Sequence, residues 1–328
     1  MTDHDGLVRF PVRHRVVEAD AVGMRLDRFL QKEIPSLPMS ALHRLLRTGQ
    51  VRVDGGRVRG GERLLLGQKV RIPPVHLSVQ DPATETPATN RPSDAWSAAL
   101  VDRICYRDSH LLIVDKPAGV PVHGGSGQPW GLVDGIRRCM EMRGEPIPEL
   151  CHRLDKDTSG CLMFGLDLPT MRAMAQAFRQ GEVEKRYLLL VRGTPSPHEG
   201  EIAIPLVRGT VRSGERMVAS GPDGKPALTW YRTLDHFGTA SLVEARPDTG
   251  RTHQIRVHFQ LRGHPIAGDP KYGEREFNRH MRKAGLKRLF LHAAQLNFVH
   301  PHSGEPIMVQ APLEKALHHL LERLQAGV

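Results

Sequence analysis

The chain is short of the residues that build metal, redox or membrane proteins. Its four cysteines, Cys105, Cys139, Cys151 and Cys161, contain no C-x-x-C pair. That excludes the common zinc and dithiol motifs and reads as reduced, buried thiols. Eighteen histidines occur without an H-E-x-x-H. His253 and His258 fall in what reads as a strand, where an odd separation puts them on opposite sides, so no metal is expected. No window approaches the roughly 20 apolar residues of a membrane span, and MTDHDGLVRFPVRHR lacks the apolar core of a signal peptide. A cytoplasmic protein with no membrane partner is expected. There is no G-x-x-x-x-G-K-[ST], and the G-x-G at Gly125 and Gly127 is not completed, because Trp130 stands where the third glycine belongs. A nucleotide cofactor is therefore not expected.

Positive charge is abundant: 46 Lys and Arg stand against 36 Asp and Glu, a net of +10 over 328 residues. That balance suits a polyanion, and nucleic acid is the leading partner class. The length suggests about two domains on the usual prior of ~150 residues each.

A polar lead over residues 1–23 precedes a compact unit at 24–73. There Leu26, Phe29, Leu30 and Ile34 recur at helical spacing, and Ser40 is placed to cap a second helix carrying Leu42, Leu45 and Leu46. The other face of that helix is basic, with His43, Arg44 and Arg47. Val51 and Val53 then alternate with Arg52 before an Asp54-Gly55 turn, and Val70 and Ile72 alternate with Lys69 and Arg71 in a last strand. Residues 1–73 hold 14 Lys or Arg against 8 Asp or Glu. Residues 74–100, rich in Pro, Ser, Thr and Ala, read as a linker that tethers this unit to a larger domain at 101–328.

The larger domain opens on the apolar run Leu111–Val114 and the turn-rich DKPAGVPVHGGSG. The polar run HRLDKDTSG, residues 152–160, lies between apolar flanks and reads as a functional loop feeding a strand. A helix is expected from about Thr170, with Met171, Met174, Ala175 and Phe178 on its packed face and Gly181 at its end. Tyr187 stands at a strand entrance after EKR. Segments near 226–234 and 239–246 read as antiparallel strands. In GRTHQIRVHF, Ile255, Val257 and Phe259 alternate with Arg256 and His258, which reads as a half-buried strand with Arg251 displayed at its start. Residues 273–289 read as a basic, irregular insertion that could touch nucleic acid. Pro312 and the leucines at 313, 317, 320, 321 and 324 mark an amphipathic C-terminal helix.

The unit at 24–73 resembles the small αL-motif RNA-binding domain. DKPAGVPVH, HRLDKDTSG, EKRY and GRTHQIRVH, in that order behind it, resemble the RluA-type family of pseudouridine synthases. GHPIAGDPKYGEREF and RLFLHAAQLNFVHPHSGEP are closest to the branch that modifies several uridines of large-subunit ribosomal RNA. The resemblance implies an α+β protein, in which the small domain is linked to a mixed, mainly antiparallel sheet with flanking helices. It implies cofactor-free isomerisation of uridine by base flipping. Asp155 matches the catalytic aspartate. Arg251 matches its basic partner, which would favour the ionised carboxylate. Tyr187 matches the active-site tyrosine, which packs on uracil and could take the final proton from C5. Arg153 matches the arginine that fills the gap left by the flipped base. His152, Ile255, Arg44, Arg47 and Arg52 are the further RNA-binding candidates. The partner implied is large-subunit ribosomal RNA or the assembling subunit, met by a monomer. The other readings are a non-catalytic RNA-binding or ribosome-assembly factor, and the same chemistry on transfer RNA.

Overall fold

The computed structural model describes residues 7–34, 37, 39–58, 60–78, 91–125, 128–212 and 215–327. The chain divides into two compact units, Met1–Pro87 and Ala88–Val328. Twelve residues of the expected linker, 79–90, lie outside the described residues.

The first unit is larger than the sequence pattern suggested. The polar lead forms strands β1 (Leu7–Phe10) and β2 (Arg13–Val16), because each finds a partner edge remote in sequence. Helices α1 (Leu26–Glu33) and α2 (Met39–Arg47) follow, so Ser40 falls within the first turn of α2. Then come β3 (Arg52–Val53), β4 (Gly56–Arg57), β5 (Lys69–Ile72) and β6 (Val75–Ser78), the last formed by residues expected in the linker. The sheet runs β2-β5-β3-β4, and β1 pairs with β6. Asp54 and Gly55 both take positive φ, 48° and 79°, as a two-residue Asp-Gly hairpin turn requires. The helical-period residues Leu26, Phe29, Leu30, Leu42 and Leu46 pack on Val53, Val70 and Ile72 as one core.

The second unit is a ten-stranded mixed sheet with flanking helices. It begins with α3 (Asp94–Ala98), β7 (Ile104–Arg107), β8 (Leu111–Lys116), α4 (Leu132–Met142), β9 (Glu149–Leu150), β10 (Ser159–Gly165) and α5 (Leu168–Gln180). Next are β11 (Glu184–Arg192), β12 (Glu199–Ala203), the hairpin β13 (Leu206–Arg212) and β14 (Glu215–Ser220), β15 (Leu228–Phe237) and β16 (Ala240–Pro247). Helices α6 (Gln254–Leu261) and α7 (Arg275–Lys283), strands β17 (Leu291–Val299) and β18 (Pro306–Gln310) and helix α8 (Lys315–Gln325) complete it. The strand path is β12-β15-β16-β11-β17-β10-β8-β7, antiparallel apart from the short parallel pairing of β10 with β17. β8 and β10 are buried at every position. Period-two alternation sends Leu112, Val114, Leu162 and Phe164 to one face under α4, and Leu111, Ile113, Cys161 and Met163 to the other, against Met174 of α5. Continuous apolar runs are what a sheet covered on both faces demands.

Two expectations fail here. Residues 254–261 form helix α6 and no strand. The alternation was misleading because its polar members are buried as well: Arg256 pairs with Asp269, and His258 bonds the Thr229 hydroxyl and the Ile204 carbonyl. Tertiary partners therefore override the period-two pattern. The segment expected to be irregular, 273–289, contains α7, started by Glu274, whose carboxylate accepts from the Glu276 and Phe277 amides, and anchored by buried Phe277 and Met281.

Gly160 ends the polar loop at the start of β10. It has φ 108°, and a Cβ there would overlap the Ala293 carbonyl on β17. Gly160→Ala is expected to lose about 2 kcal/mol or more of stability, combining left-handed strain with overpacking. A urea midpoint unchanged from wild type would contradict this.

Candidate active site

The loop 151–158 leaves β9 and returns into β10, and its backbone is clamped from below. Lys116, fully buried at the end of β8, donates from Nζ to the carbonyls of Pro117, Val120 and Lys156 at 2.9, 2.7 and 2.8 Å. The Gly119 amide donates to the same Lys156 carbonyl at 3.0 Å. Burial pushes the lysine down to about 7, opposed by Asp157 and Asp155. Three carbonyls match the three protons of an ammonium, whereas a neutral amine would leave one of them facing a lone pair. The geometry therefore holds Lys116 charged. Ser159 is fixed in turn: His292 uses Nε2–H on the Ala311 carbonyl, so its Nδ1 accepts from the Ser159 hydroxyl at 2.9 Å, while Arg288 donates to that oxygen at 2.8 Å.

So held, Asp155 enters a cavity of about 710 Å³ whose walls include Arg153, Tyr187, Ile255, Arg256 and Leu291. Its side chain is 22% exposed, with Arg256 Nη1 at 3.8 Å and His253 Nε2 at 3.9 Å from Oδ2. Arg256 is immobilised by a buried fork to Asp269, Nε–Oδ2 at 2.7 Å and Nη2–Oδ1 at 2.8 Å, and lies over the Tyr272 ring. His253 takes φ 54° at the foot of α6, and its Nδ1 is 2.8 Å from the Tyr272 hydroxyl. Because that oxygen already accepts from the Val218 amide, its own proton is free for His253 Nδ1, leaving Nε2–H toward Asp155. Burial lowers the His253 pKa, which agrees with a neutral ring.

Tyr187 of β11 faces the same cavity. Its surroundings and then the charge of Asp155 push its hydroxyl above the ordinary tyrosine range, so it stays protonated. His152 stacks on Phe178 with ring centroids 4.0 Å apart and accepts the Met163 amide at Nε2. Burial, reinforced by Lys185, pushes it down to about 3.

A family profile described as RNA pseudouridylate synthase matches residues 110–261. The chain is 41% identical to the ribosomal large subunit pseudouridine synthase C of Escherichia coli (strain K12) over 312 residues, 94% of this chain and 95% of that protein. The chain belongs to the RNA pseudouridylate synthases. The protein of the same name from Vibrio vulnificus (strain CMCP6) is 40% identical over 321 residues, 98% of this chain and 99% of that one. Among solved structures, human RNA pseudouridylate synthase domain containing 4 superposes with a TM-score of 0.60 at 28% identity, covering 71% of this chain and 96% of that one.

In this pseudouridylate synthase, Asp155, Arg153, Tyr187, His152, Ile255 and Arg251 all line one cavity. The expected pairing of Arg251 with Asp155 is corrected. Arg251 is exposed and its Nε donates to the Pro226 carbonyl at 3.1 Å, while the guanidinium beside Asp155 belongs to Arg256. The helical course of 254–261 turns Arg256 inward. His152 is a neutral acceptor for backbone, packed under the loop. Arg44 and Arg47 are exposed on α2, and Arg52 is half-buried on β3, all in the first unit. Lys116, His253 and Arg256 were not singled out from the sequence, although each stands inside a motif and Lys116 ends an apolar run, an unusual place for a lysine.

One group of metal-ligating side chains does converge among the described residues: His110, Asp167 and His302. Its atoms are engaged locally. Asp167 bonds the Thr170 amide and hydroxyl and His110 Nδ1, His302 Nε2 meets the Thr170 hydroxyl, and the two imidazoles stack 3.7 Å apart. None of the three lines the cavity of Asp155.

Arg256→Met should lose about 3–5 kcal/mol in equilibrium unfolding, because it strands the buried Asp269 carboxylate. Arg251→Met should stay within about 0.5 kcal/mol of wild type. Equal losses would reverse the assignment.

Proposed function

We propose that this enzyme converts uridines of large-subunit ribosomal RNA to pseudouridine, with Asp155 acting on the ribose. What carries the reading is near full-length similarity to two proteins named large subunit pseudouridine synthase C, together with the Asp155 carboxylate held beside a fixed guanidinium in the cavity. The reaction breaks N1–C1′, turns the uracil and forms C5–C1′, while C5 loses a proton and N1 gains one. Nothing is oxidised or consumed.

A stacked uridine hides C1′ and C5, so the nucleotide must leave the helix, which costs a few kcal/mol. Arg153, exposed at the cavity mouth, fills the space it vacates. Ile255 and Leu291 supply apolar walls for the base. Arg256 and the Nε2–H of His253 present positive potential to the Asp155 carboxylate. Tyr187 packs on the uracil as a neutral phenol. A hydroxyl whose proton is held this firmly is a poor acceptor for the C5 proton, and that step falls to the Asp155 carboxylate.

The first unit serves as an RNA grip. His14, Arg71, Arg52 and Arg57 are successive cross-strand partners on β2, β5, β3 and β4. Like charges directly opposite one another destabilise a sheet, and this row is relieved by a polyphosphate lying across strands ~4.8 Å apart. His14, Arg52, Lys69 and Arg71 also line a groove of about 680 Å³. The cations of α2, Arg44 and Arg47, extend the basic surface of this unit.

Tritium release from C5-labelled uridine in large-subunit ribosomal RNA tests the activity. Wild type should release it, and Asp155→Asn should not, while binding RNA within about tenfold, since affinity comes mainly from phosphate contacts. Turnover by the variant would remove Asp155 from the chemistry. Release from transfer RNA alone would move the substrate, and none from either would favour a binding factor. Replacing Arg52 and Arg71 with Ser should flatten the dependence of log K on log salt by about 1.4, at ~0.7 per phosphate contact to single-stranded RNA. An unchanged slope would rule out the cation row as the grip.

A further inference from the structure

Lys185 lies on β11 two positions before Tyr187, and its side chain lines the cavity of Asp155. It is only 8% exposed. Among the described residues its ammonium makes no hydrogen bond and no ion pair. The surrounding groups are otherwise engaged. His152, whose titration feels Lys185, spends Nε2 on the Met163 amide and is neutral. Asp248, the one carboxylate that acts on Lys185 electrostatically, accepts from Trp230 Nε1 at 2.8 Å and has Arg246 Nε at 3.8 Å. Glu184, next in sequence, is held by Arg186 and Asn297.

A charge removed from water without a partner costs several kcal/mol, and folded proteins either pair it or neutralise it. Burial does lower the pKa of Lys185. Lys185 has no protein partner among the described residues, and its Nζ is not sealed off from the cavity that it lines; an unpaired cation turned to a substrate cavity marks a group that a ligand can satisfy. Its neighbours also define what the ligand must be. The Asp155 end of the cavity has its own cation in Arg256. The lining of the cavity also includes Arg179 and Arg251, both exposed, besides the Asp248 that acts on Lys185. Uracil and ribose are neutral, so the anion of an RNA substrate is its backbone. An ammonium is a point charge that suits a phosphate approaching without fixed orientation.

We propose that Lys185 is a substrate-positioning residue that pairs with a backbone phosphate of the extruded nucleotide, seating uracil over Tyr187 and C1′ against Asp155. This rests on the pseudouridine synthase reading above. The same contact makes catalysis depend on the nucleotide being fully inserted, since the buried charge is satisfied only then.

The test is Lys185→Met, close to isosteric and uncharged, compared with wild type and Lys185→Arg in the full chain. Equilibrium unfolding should show Lys185→Met at least as stable as wild type, because an unpaired buried charge is replaced by an apolar side chain. Its kcat/KM for tritium release should fall roughly 10- to 100-fold, the worth of one charge-assisted hydrogen bond. The slope of log K against log salt for RNA binding should flatten by about 0.7, one phosphate contact, and Lys185→Arg should restore that slope. A destabilised variant with an unchanged slope would make Lys185 structural and overturn the proposal. Slower chemistry with an unchanged slope would place the contact on the neutral base and overturn it as well. Wild type inactive on any uridine-containing RNA would instead sink the reading of the activity, and the stability comparison would still decide whether the lysine is structural.

Discussion

The buried fork between Arg256 and Asp269 is the interaction on which the rest of the site depends. With the arginine 3% exposed and the carboxylate fully buried, neither charge is tolerable without the other. The pair locks the inner face of α6 to the turn after Ile266, because the Asp269 carboxylate also accepts the Lys271 and Tyr272 amides. That turn carries Tyr272, which fixes His253, which faces Asp155. A single ion pair thus sets a guanidinium, an imidazole and a phenol around one carboxylate, and none can shift alone.

Asp155 itself is presented by a different device. The sheet beneath it is covered on both faces, and the loop between β9 and β10 is anchored to those cores by Cys151 and Leu154, but its polar backbone needs further contacts to hold a shape. Lys116 supplies them in another form, turning three carbonyls inward to one ammonium. Gly160 lets β10 approach β17 closely enough for the loop to end against Ala293. Rigid strands with a clamped loop between them are the arrangement that positions a reacting group without spending its own side chain on structure.

Elsewhere the protein tolerates charge that its fold alone does not satisfy. The cation row across the small sheet and the solitary Lys185 are both left without protein partners of opposite charge among the described residues, and, as proposed above, both take the same kind of ligand, a phosphodiester chain.

Much was legible in the sequence because it rests on local chemistry. Helical periodicity set the core of α1 and α2, Asp54-Gly55 announced its hairpin, Gly181 ended α5, and continuous apolar runs marked strands buried on both faces. HRLDKDTSG advertised its carboxylate through composition and flanks. What the sequence could not supply were pairings between residues far apart in the chain. The lead and linker strands exist because β2 finds β5 and β1 finds β6. Residues 254–261 read as a strand because a buried arginine is indistinguishable from an exposed one until Asp269 is placed beside it, and the wrong arginine was therefore matched to Asp155. Residue types and motif order determined the family and picked out the Asp155 carboxylate. The tertiary structure decided which cation faces it, which lysine clamps it and which lysine is left unpaired, since these depend on burial and distance, which only a folded chain possesses.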